Sequence, residues 1–132
     1  MKTKAILGSA ELDAMMAAAR GKAEAIGIAA TIAIVDDGGY VFRVERGEGA
    51  GVMTPTVAMA MARTAALMRA PSGALTARLK DEPELLRLTD YLPMPGGLPV
   101  RHDGACIGGI GISGGSAEQD VAIAEAGLAA LG

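Results

Sequence analysis

Two arginines and one glutamate could bind and convert a small anionic molecule. Arg46 and Glu48 lie in the glycine-rich loop 46–51, which follows a predicted strand. Loops carried by a rigid sheet often hold functional side chains, although an ordinary solvated pair is the simpler explanation of this spacing. Arg63 is the only charged residue of a predicted helix before Arg69. A buried guanidinium requires an acidic partner or an anionic ligand, because an unpaired buried charge is very costly.

Two interpretations of Arg63 remain open. In a structural ion pair its guanidinium would contact Glu45 or Glu48. In a functional site it would instead bind the carboxylate of a ligand, since guanidinium groups hold carboxylates through paired hydrogen bonds.

The turn Ser113-Gly114-Gly115 offers backbone N–H groups to an anion. It separates a predicted strand from a helix that begins at Ser116, and Ser116 and Gln119 have the spacing of a capping box. Free N–H groups before a helix are suited to holding an anion. Tight turns and close packing are the simpler explanation of these glycines and of those in the preceding strand.

These features together predict a small-molecule site at or near a subunit interface. Arg63 and the amides near Ser113 and Gly114 would hold a carboxylate, and Glu48 would be the catalytic general acid or base if burial raised its pKa. Such a site supports cofactor-free lyase, isomerase or hydrolase chemistry. The candidate ligand-binding residues are Arg46, Arg63, Gly97, Ser113 and Gly114. The alternatives are a non-catalytic protein that binds a tetrapyrrole or another flat ligand, and a purely structural or interaction role.

The composition excludes several other classes of protein. The 132 residues are enough for one domain, residues 1–132, with a core of small aliphatic side chains, since 51% of the residues are hydrophobic and 2% aromatic. A net charge of −3 argues against nucleic acid as a partner. No apolar run reaches the length that spans a bilayer and no secretory leader is evident, so we expect a cytoplasmic protein with no membrane partner.

Metal and haem ligands are scarce. One cysteine rules out an internal disulfide, and no cluster of histidine, cysteine and carboxylates has metal-ligand spacing. His102 is the only histidine, and its position in a predicted hairpin turn leads us to expect it to be exposed. Methionine, tyrosine or cysteine could ligate haem instead, but little aromatic surface is available to pack a porphyrin. The residues therefore give haem little support and identify no cofactor.

Hydrophobic periodicity and turn residues predict the elements that position these groups. Asp103-Gly104 between two apolar runs is a strong hairpin signal. The predicted elements are a helix from Ser9 to Gly27, strands 28–35 and 40–45, a helix from Thr54 to Met68, short helices 74–80 and 82–88, a hairpin around 102–104 and a helix from Ser116. Hairpin-linked strands with helices on their faces indicate an α/β fold with a mainly antiparallel sheet.

Several motifs, in this order, resemble the GlcG/HbpS-like family, which includes the C-terminal domain of PduO-type proteins. They are Ile34-Val35-Asp36-Asp37-Gly38-Gly39, Arg46-Gly47-Glu48-Gly49-Ala50, Ala62-Arg63-Thr64-Ala65, Gly96-Gly97-Leu98-Pro99-Val100, Asp103-Gly104, Ile107 to Gly114, Gln119-Asp120 and Ala126 to Ala130. The resemblance implies a profilin-like α/β fold, with helices on both faces of a central antiparallel sheet, and a homo-oligomer of two or more copies.

The resemblance also implies a range of functions. Some relatives bind haem or corrinoids, others accompany glycolate or diol metabolism, and a few are lyases acting on small aromatic acids. Arg46 and Glu48 match the family segment R-x-D-G-A, with Glu48 in place of the usual aspartate. Met61 stands where many relatives carry a lysine, so a role that depends on that lysine is not expected here.

Overall fold

The apolar run after Gly27 forms the central strand of a four-stranded sheet. The computed structural model describes all residues from 1 to 132. Its helices are α1 (Ser9–Ala25), α2 (Thr54–Met68), α3 (Ala74–Arg78) and α4 (Ala117–Ala129), with a 3₁₀ helix at Pro83–Arg87. Its strands are β1 (Thr31–Asp36), β2 (Val41–Arg46), β3 (Gly97–His102) and β4 (Ala105–Ser113).

The strand order is β2-β1-β4-β3 and every neighbouring pair is antiparallel. This confirms the predicted sheet. Strand β1 begins at Thr31, later than predicted, because the N–H of Ile28 still bonds to the carbonyl of Ala23 and closes the end of α1. The β3–β4 hairpin turns at Asp103-Gly104, where both residues have positive φ, as predicted.

Helices cover both faces of the sheet, which confirms the predicted fold class. Helices α1 and α4 pack on one face, over a large core that includes Met15, Ile34, Ile110 and Ile123. Helix α2 covers the other face over a small core of alanine and valine. Because alanine side chains are short, α2 lies close to the sheet.

The glycines of β3 and β4 make that close approach possible. A Cβ added to Gly111 would lie 2.6 Å from the backbone nitrogen of Ala62 and closer still to the carbonyl oxygen of Ala58. One added to Gly97 would lie 2.6 Å from the carbonyl carbon of Met61. Close packing is therefore the role of these glycines. Gly97, a predicted ligand-binding residue, is buried against α2.

The N-terminus of α4 agrees with the capping signal in the sequence, whereas the N-terminus of α2 does not. Ser116 and Gln119 form the predicted capping box, with reciprocal hydrogen bonds of 3.2 and 2.9 Å. The sequence predicts a helix that begins at Thr54, with Thr54 suited to cap it and Pro55 to its first turn. In the structure Thr54 lies within the first turn of α2, Met53 is the N-cap, and the hydroxyl of Thr54 hydrogen-bonds to Thr31 at 2.8 Å.

The apolar segment 91–96 packs on the body of the protein. The hydroxyl of the fully buried Ser72 accepts a hydrogen bond from the N–H of Gly97 at 2.9 Å. The hydroxyl of Thr64 accepts one from the N–H of Leu92 at 2.8 Å. These two side chains bind the segment to α2 and β3. None of the helices has both the length and the apolar content that a bilayer crossing needs.

Candidate functional site

Arg46 and Glu48 lie at the edge of the sheet where β1 begins. Arg46 is the β-sheet partner of Thr31 in the pairing of β1 with β2. Its guanidinium donates two hydrogen bonds to the carbonyl of Ala50, at 2.8 and 3.1 Å, and these bonds close the loop 46–51. Glu48 is exposed and makes no hydrogen bond. Both residues line a cleft of about 350 Å³, the loop cleft, together with Arg20, Glu24, Ala30 and Glu45.

The loop cleft carries more negative than positive charge. Glu45 forms a two-point ion pair with Arg20, with N–O distances of 2.7 and 2.8 Å. The hydrogen bonds from Arg20 hold the pKa of Glu45 below its ordinary value. An ion pair of Glu45 with Arg63, one of the interpretations left open for Arg63, is therefore not formed. Glu24 and Glu48 remain as carboxylates beside the cleft, so its charge favours a neutral or cationic group over an anion.

Arg63 lies at the opposite end of the sheet. Its guanidinium contacts the carbonyl of Gly38 in the β1–β2 turn and the hydroxyl of Thr89. Thr54, at the start of α2, contacts the beginning of β1, and nine residues of helix from there to Arg63 span about 14 Å. The structure therefore does not bring Arg63 together with Arg46 and Glu48, and Arg63 pairs with neither Glu45 nor Glu48.

The amides of the turn after β4 bind a carboxylate of the chain itself. The N–H of Gly115 donates to Asp120 at 2.8 Å, and Ser113 pairs with Thr31 in the sheet. Gly114 packs so closely on Ala29 and Ala30 that an added Cβ would lie 2.7 Å from the Cα of Ala30. The anion predicted for this turn is therefore the buried side chain of Asp120.

Asp120 belongs to the buried face of α4. Hydrophobic spacing predicts Val121, Ala124, Leu128 and Leu131 on that face, and Ala124 is buried there together with Asp120, Ile123 and Gly127. Leu128 and Leu131 are partly buried and pack on the core, whereas Val121 is partly buried outside it. A polar side chain buried at a helix start is difficult to foresee from hydrophobic periodicity.

Asp120 makes stability depend on pH in a direction opposite to most carboxylates. Burial raises the pKa of Asp120, and the N–H groups of Gly115 and Gly114 offset only part of that rise. A native pKa above the unfolded value favours folding at low pH, and this contribution is lost as pH rises through the native pKa.

We therefore expect Asp120→Asn to gain stability relative to the wild type as pH rises from about 3.5 to 7. Urea denaturation at several pH values measures the difference in unfolding free energy between the variant and the wild type. The contributions of the other carboxylates cancel in this difference, because they titrate in both proteins. An advantage of the variant that shrinks with rising pH would contradict this account.

The largest cleft of the structure lies elsewhere, between the β3–β4 hairpin and the ends of α1 and α4. This hairpin cleft has a volume of about 740 Å³, and its walls include Ile6, Leu7, Ile107, Leu128, Leu131 and His102. The side chain of His102 is 59% exposed, as predicted. His102 is not among the site residues predicted from the sequence. The one signal that could have identified it is that it carries the only imidazole of the chain.

The surroundings of His102 do not form a metal cluster. Asp103 contacts the imidazole, with an Nε2–Oδ2 distance of 3.4 Å, and Glu11 lines the same cleft. No three histidine, cysteine or carboxylate side chains lie close enough together to hold a metal ion. Cys106 is half-buried, and its thiol donates to the carbonyl of Gly108 at 3.3 Å.

Comparison with known proteins gives a consistent set of relatives. The family model described as "Haem degrading protein HbpS-like" matches residues 7–129. Protein GlcG of Escherichia coli (strain K12) is 32% identical over 86% of this chain and 85% of its own length.

Two solved structures have the same fold. A double mutant of HbpS from Streptomyces reticuli is 34% identical and superposes with a TM-score of 0.94, covering 100% of this chain and 91% of that one. A complex of PduOC with haem is 29% identical and superposes with a TM-score of 0.88, covering 96% of this chain and 95% of that one.

Proposed function

Because the chain belongs to the HbpS-like family, we propose that it binds a tetrapyrrole of the haem class in the hairpin cleft. Small-molecule binding is supported within the family by the haem complex of PduOC. For this chain, the observation that carries the proposal is a cleft of about 740 Å³ that combines aliphatic walls with the only imidazole. Ligand sites in proteins are commonly about 300–1,000 Å³ in volume.

The residues of the hairpin cleft suit such a ligand. Ile6, Leu128 and Leu131 offer aliphatic surface, which a flat macrocycle would bury at a gain of about 25 cal/mol per Å². The imidazole of His102 would hold the iron, as histidine does in many haem proteins. The charged lining is mixed: Glu11 and Asp103 are acidic, and the guanidinium of Arg101 hydrogen-bonds the carbonyl of Arg69. When bound, haem supplies redox chemistry at iron that no side chain of this protein offers.

Titration with haemin tests the proposal. We expect one haemin to bind per chain in a saturable manner. The rise of the Soret band at micromolar protein concentration measures this binding. Ile6 is 67% exposed and lines the cleft, so Ile6→Glu should weaken binding about tenfold, through a charge placed on an apolar wall, without loss of the fold.

Leu88→Glu is the matched control, because Leu88 is apolar and 70% exposed but lies outside the cleft. Haemin uptake that does not saturate, or that is equally weakened by both variants, would reject the hairpin cleft as the site.

A second candidate function is the cofactor-free conversion of a small ligand in the loop cleft. It is favoured by the position of Arg46 and Glu48 on one cleft of about 350 Å³. Glu48, although exposed, is the carboxylate placed to exchange a proton with a ligand there. Because the charge of the cleft favours a neutral or cationic ligand, the probes are acetamide and ethylamine. Saturable amide shifts at Ala29 and Ala30 with either probe, in a protein that does not bind haemin, would favour this function over the first.

Assembly into a homo-oligomer completes the proposal. Val52 and Met53 lie in the loop before α2 and are 83% and 71% exposed. Neighbouring apolar side chains that are exposed to solvent often mark an interaction surface. Light scattering of the purified protein measures the number of copies.

A further inference from the structure

Arg63 is a half-buried cation with no carboxylate within ion-pair distance, although the exposed Asp90 directly follows its contact Thr89. Its two contacts, with the carbonyl of Gly38 at 3.4 Å and the hydroxyl of Thr89 at 3.2 Å, are long for hydrogen bonds. None of the ion pairs of the structure includes Arg63. Since a guanidinium has five N–H donors, most of its binding capacity is unused.

The carboxylates nearest in the β1–β2 turn are committed to other groups. One oxygen of Asp36 accepts hydrogen bonds from the N–H groups of Gly38 and Tyr40, both at 2.9 Å. Asp37 forms an ion pair with Lys4 at 2.9 Å. This contact lowers the pKa of Asp37 and keeps it ionised. Neither residue neutralises Arg63.

The surroundings of Arg63 fix its side chain in place. A Cβ on Gly39 would lie 2.8 Å from both Cγ and Nη1 of Arg63, so the side chain lies directly against the turn. Gly39 has a φ of +86°, which a side chain at this position would strain. On the other side, the carbonyl of Thr89 accepts a hydrogen bond from the N–H of Tyr91 at 2.9 Å, just before the segment 91–96 that Thr64 holds through the N–H of Leu92. The guanidinium thus lies between the β1–β2 turn and Thr89.

We propose that Arg63, together with the hydroxyl of Thr89, binds the oxyanion of a small ligand, a carboxylate or a phosphate group. A guanidinium binds either group with two parallel hydrogen bonds, and the threonine hydroxyl donates a third. This site is separate from the hairpin cleft and does not depend on haem binding. The ligand of Arg63 is anionic, as the sequence predicts. The residues that bind it beside Arg63 differ from the prediction, because Thr89 and the β1–β2 turn contact Arg63 and Ser113 and Gly114 do not.

Amide and side-chain NMR spectra of the ¹⁵N-labelled protein test this site. The probes are inorganic phosphate and acetate, each added at constant ionic strength. In the wild type we expect saturable shifts of the Nε–H of Arg63 and of the amides of Gly38, Gly39 and Thr89. A response to phosphate alone, to acetate alone or to both identifies the chemical source of the oxyanion.

Arg63→Gln should weaken binding about tenfold or more, because it removes the charge and the paired donors. Arg78→Gln is the control, since it removes an exposed arginine of α3 that lines neither the loop cleft nor the hairpin cleft. Arg63→Lys, which keeps the charge, should bind the probe anions with intermediate strength. This variant replaces Arg63→Gln in the test if Arg63→Gln does not fold. Shifts that fail to saturate for both probes, or that are unchanged in Arg63→Lys and Arg63→Gln, would overturn the proposal.

Discussion

Gly111→Ala is expected to destabilise the protein by about 3 kcal/mol or more, the upper end of the cost of overpacking a core. The new methyl group would lie 2.6 Å from the backbone nitrogen of Ala62 and 3.0 Å from its Cβ. The first atom belongs to the backbone of α2 and the second is fixed to it, so no change of rotamer can relieve the clash. Relief would require α2 to move away from β4, and the small core of Ala33, Val35 and Ala58 would then open.

Gly21→Ala is the matched control for this substitution. Gly21 lies in α1, and a Cβ there meets nothing within 4 Å. Alanine in an exposed helix interior stabilises by about 0.5–1 kcal/mol relative to glycine. The same chemical change should therefore have opposite signs at the two positions. Urea denaturation measures both, and a Gly111→Ala variant within about 0.5 kcal/mol of the wild type would refute close helix packing as the role of this glycine.

His102→Ala is expected to change the haem spectrum and to weaken haemin binding about tenfold or more, if the hairpin cleft is the site. The reason is that no other imidazole exists in the chain to replace it. Because the side chain is 59% exposed, the thermal unfolding midpoint of the ligand-free protein should hardly change. Loss of binding would therefore report on the ligand and not on the fold.

Tyr40→Phe is the control for His102→Ala, because tyrosine is another haem ligand and Tyr40 is an exposed tyrosine that does not line the hairpin cleft. A Soret band that stays the same in His102→Ala but shifts in Tyr40→Phe would move the site to the β1–β2 turn. Failure of the wild type to bind haemin would instead remove the haem proposal as a whole.

Much of the fold was predictable because its signals are local. The Asp103-Gly104 turn, the capping box of Ser116 and the apolar strand before Asp36 each depend on residues a few positions apart. The chemistry of each segment is decided within that segment. The resemblance to a known family added the layer order, with helices on both faces of the sheet.

The candidate site was less predictable because it depends on distances that only the folded chain sets. Arg46, Glu48 and Arg63 are charged residues of the right type, yet α2 places Arg63 at the far end of the sheet. Glu45 pairs with Arg20 of α1, which no spacing in the sequence indicates.

The sequence by itself determined the secondary structure, the antiparallel sheet and the identity of the unusual residues, since propensity, periodicity and turn chemistry act over short stretches of chain. Only the tertiary structure decided which of these residues meet. It directed Asp120 into the turn where an outside anion was expected, and it gave His102 a cleft formed with both ends of the chain. The physical reason is that a site is a set of long-range contacts, whose geometry follows from how helices and strands pack and from no single segment.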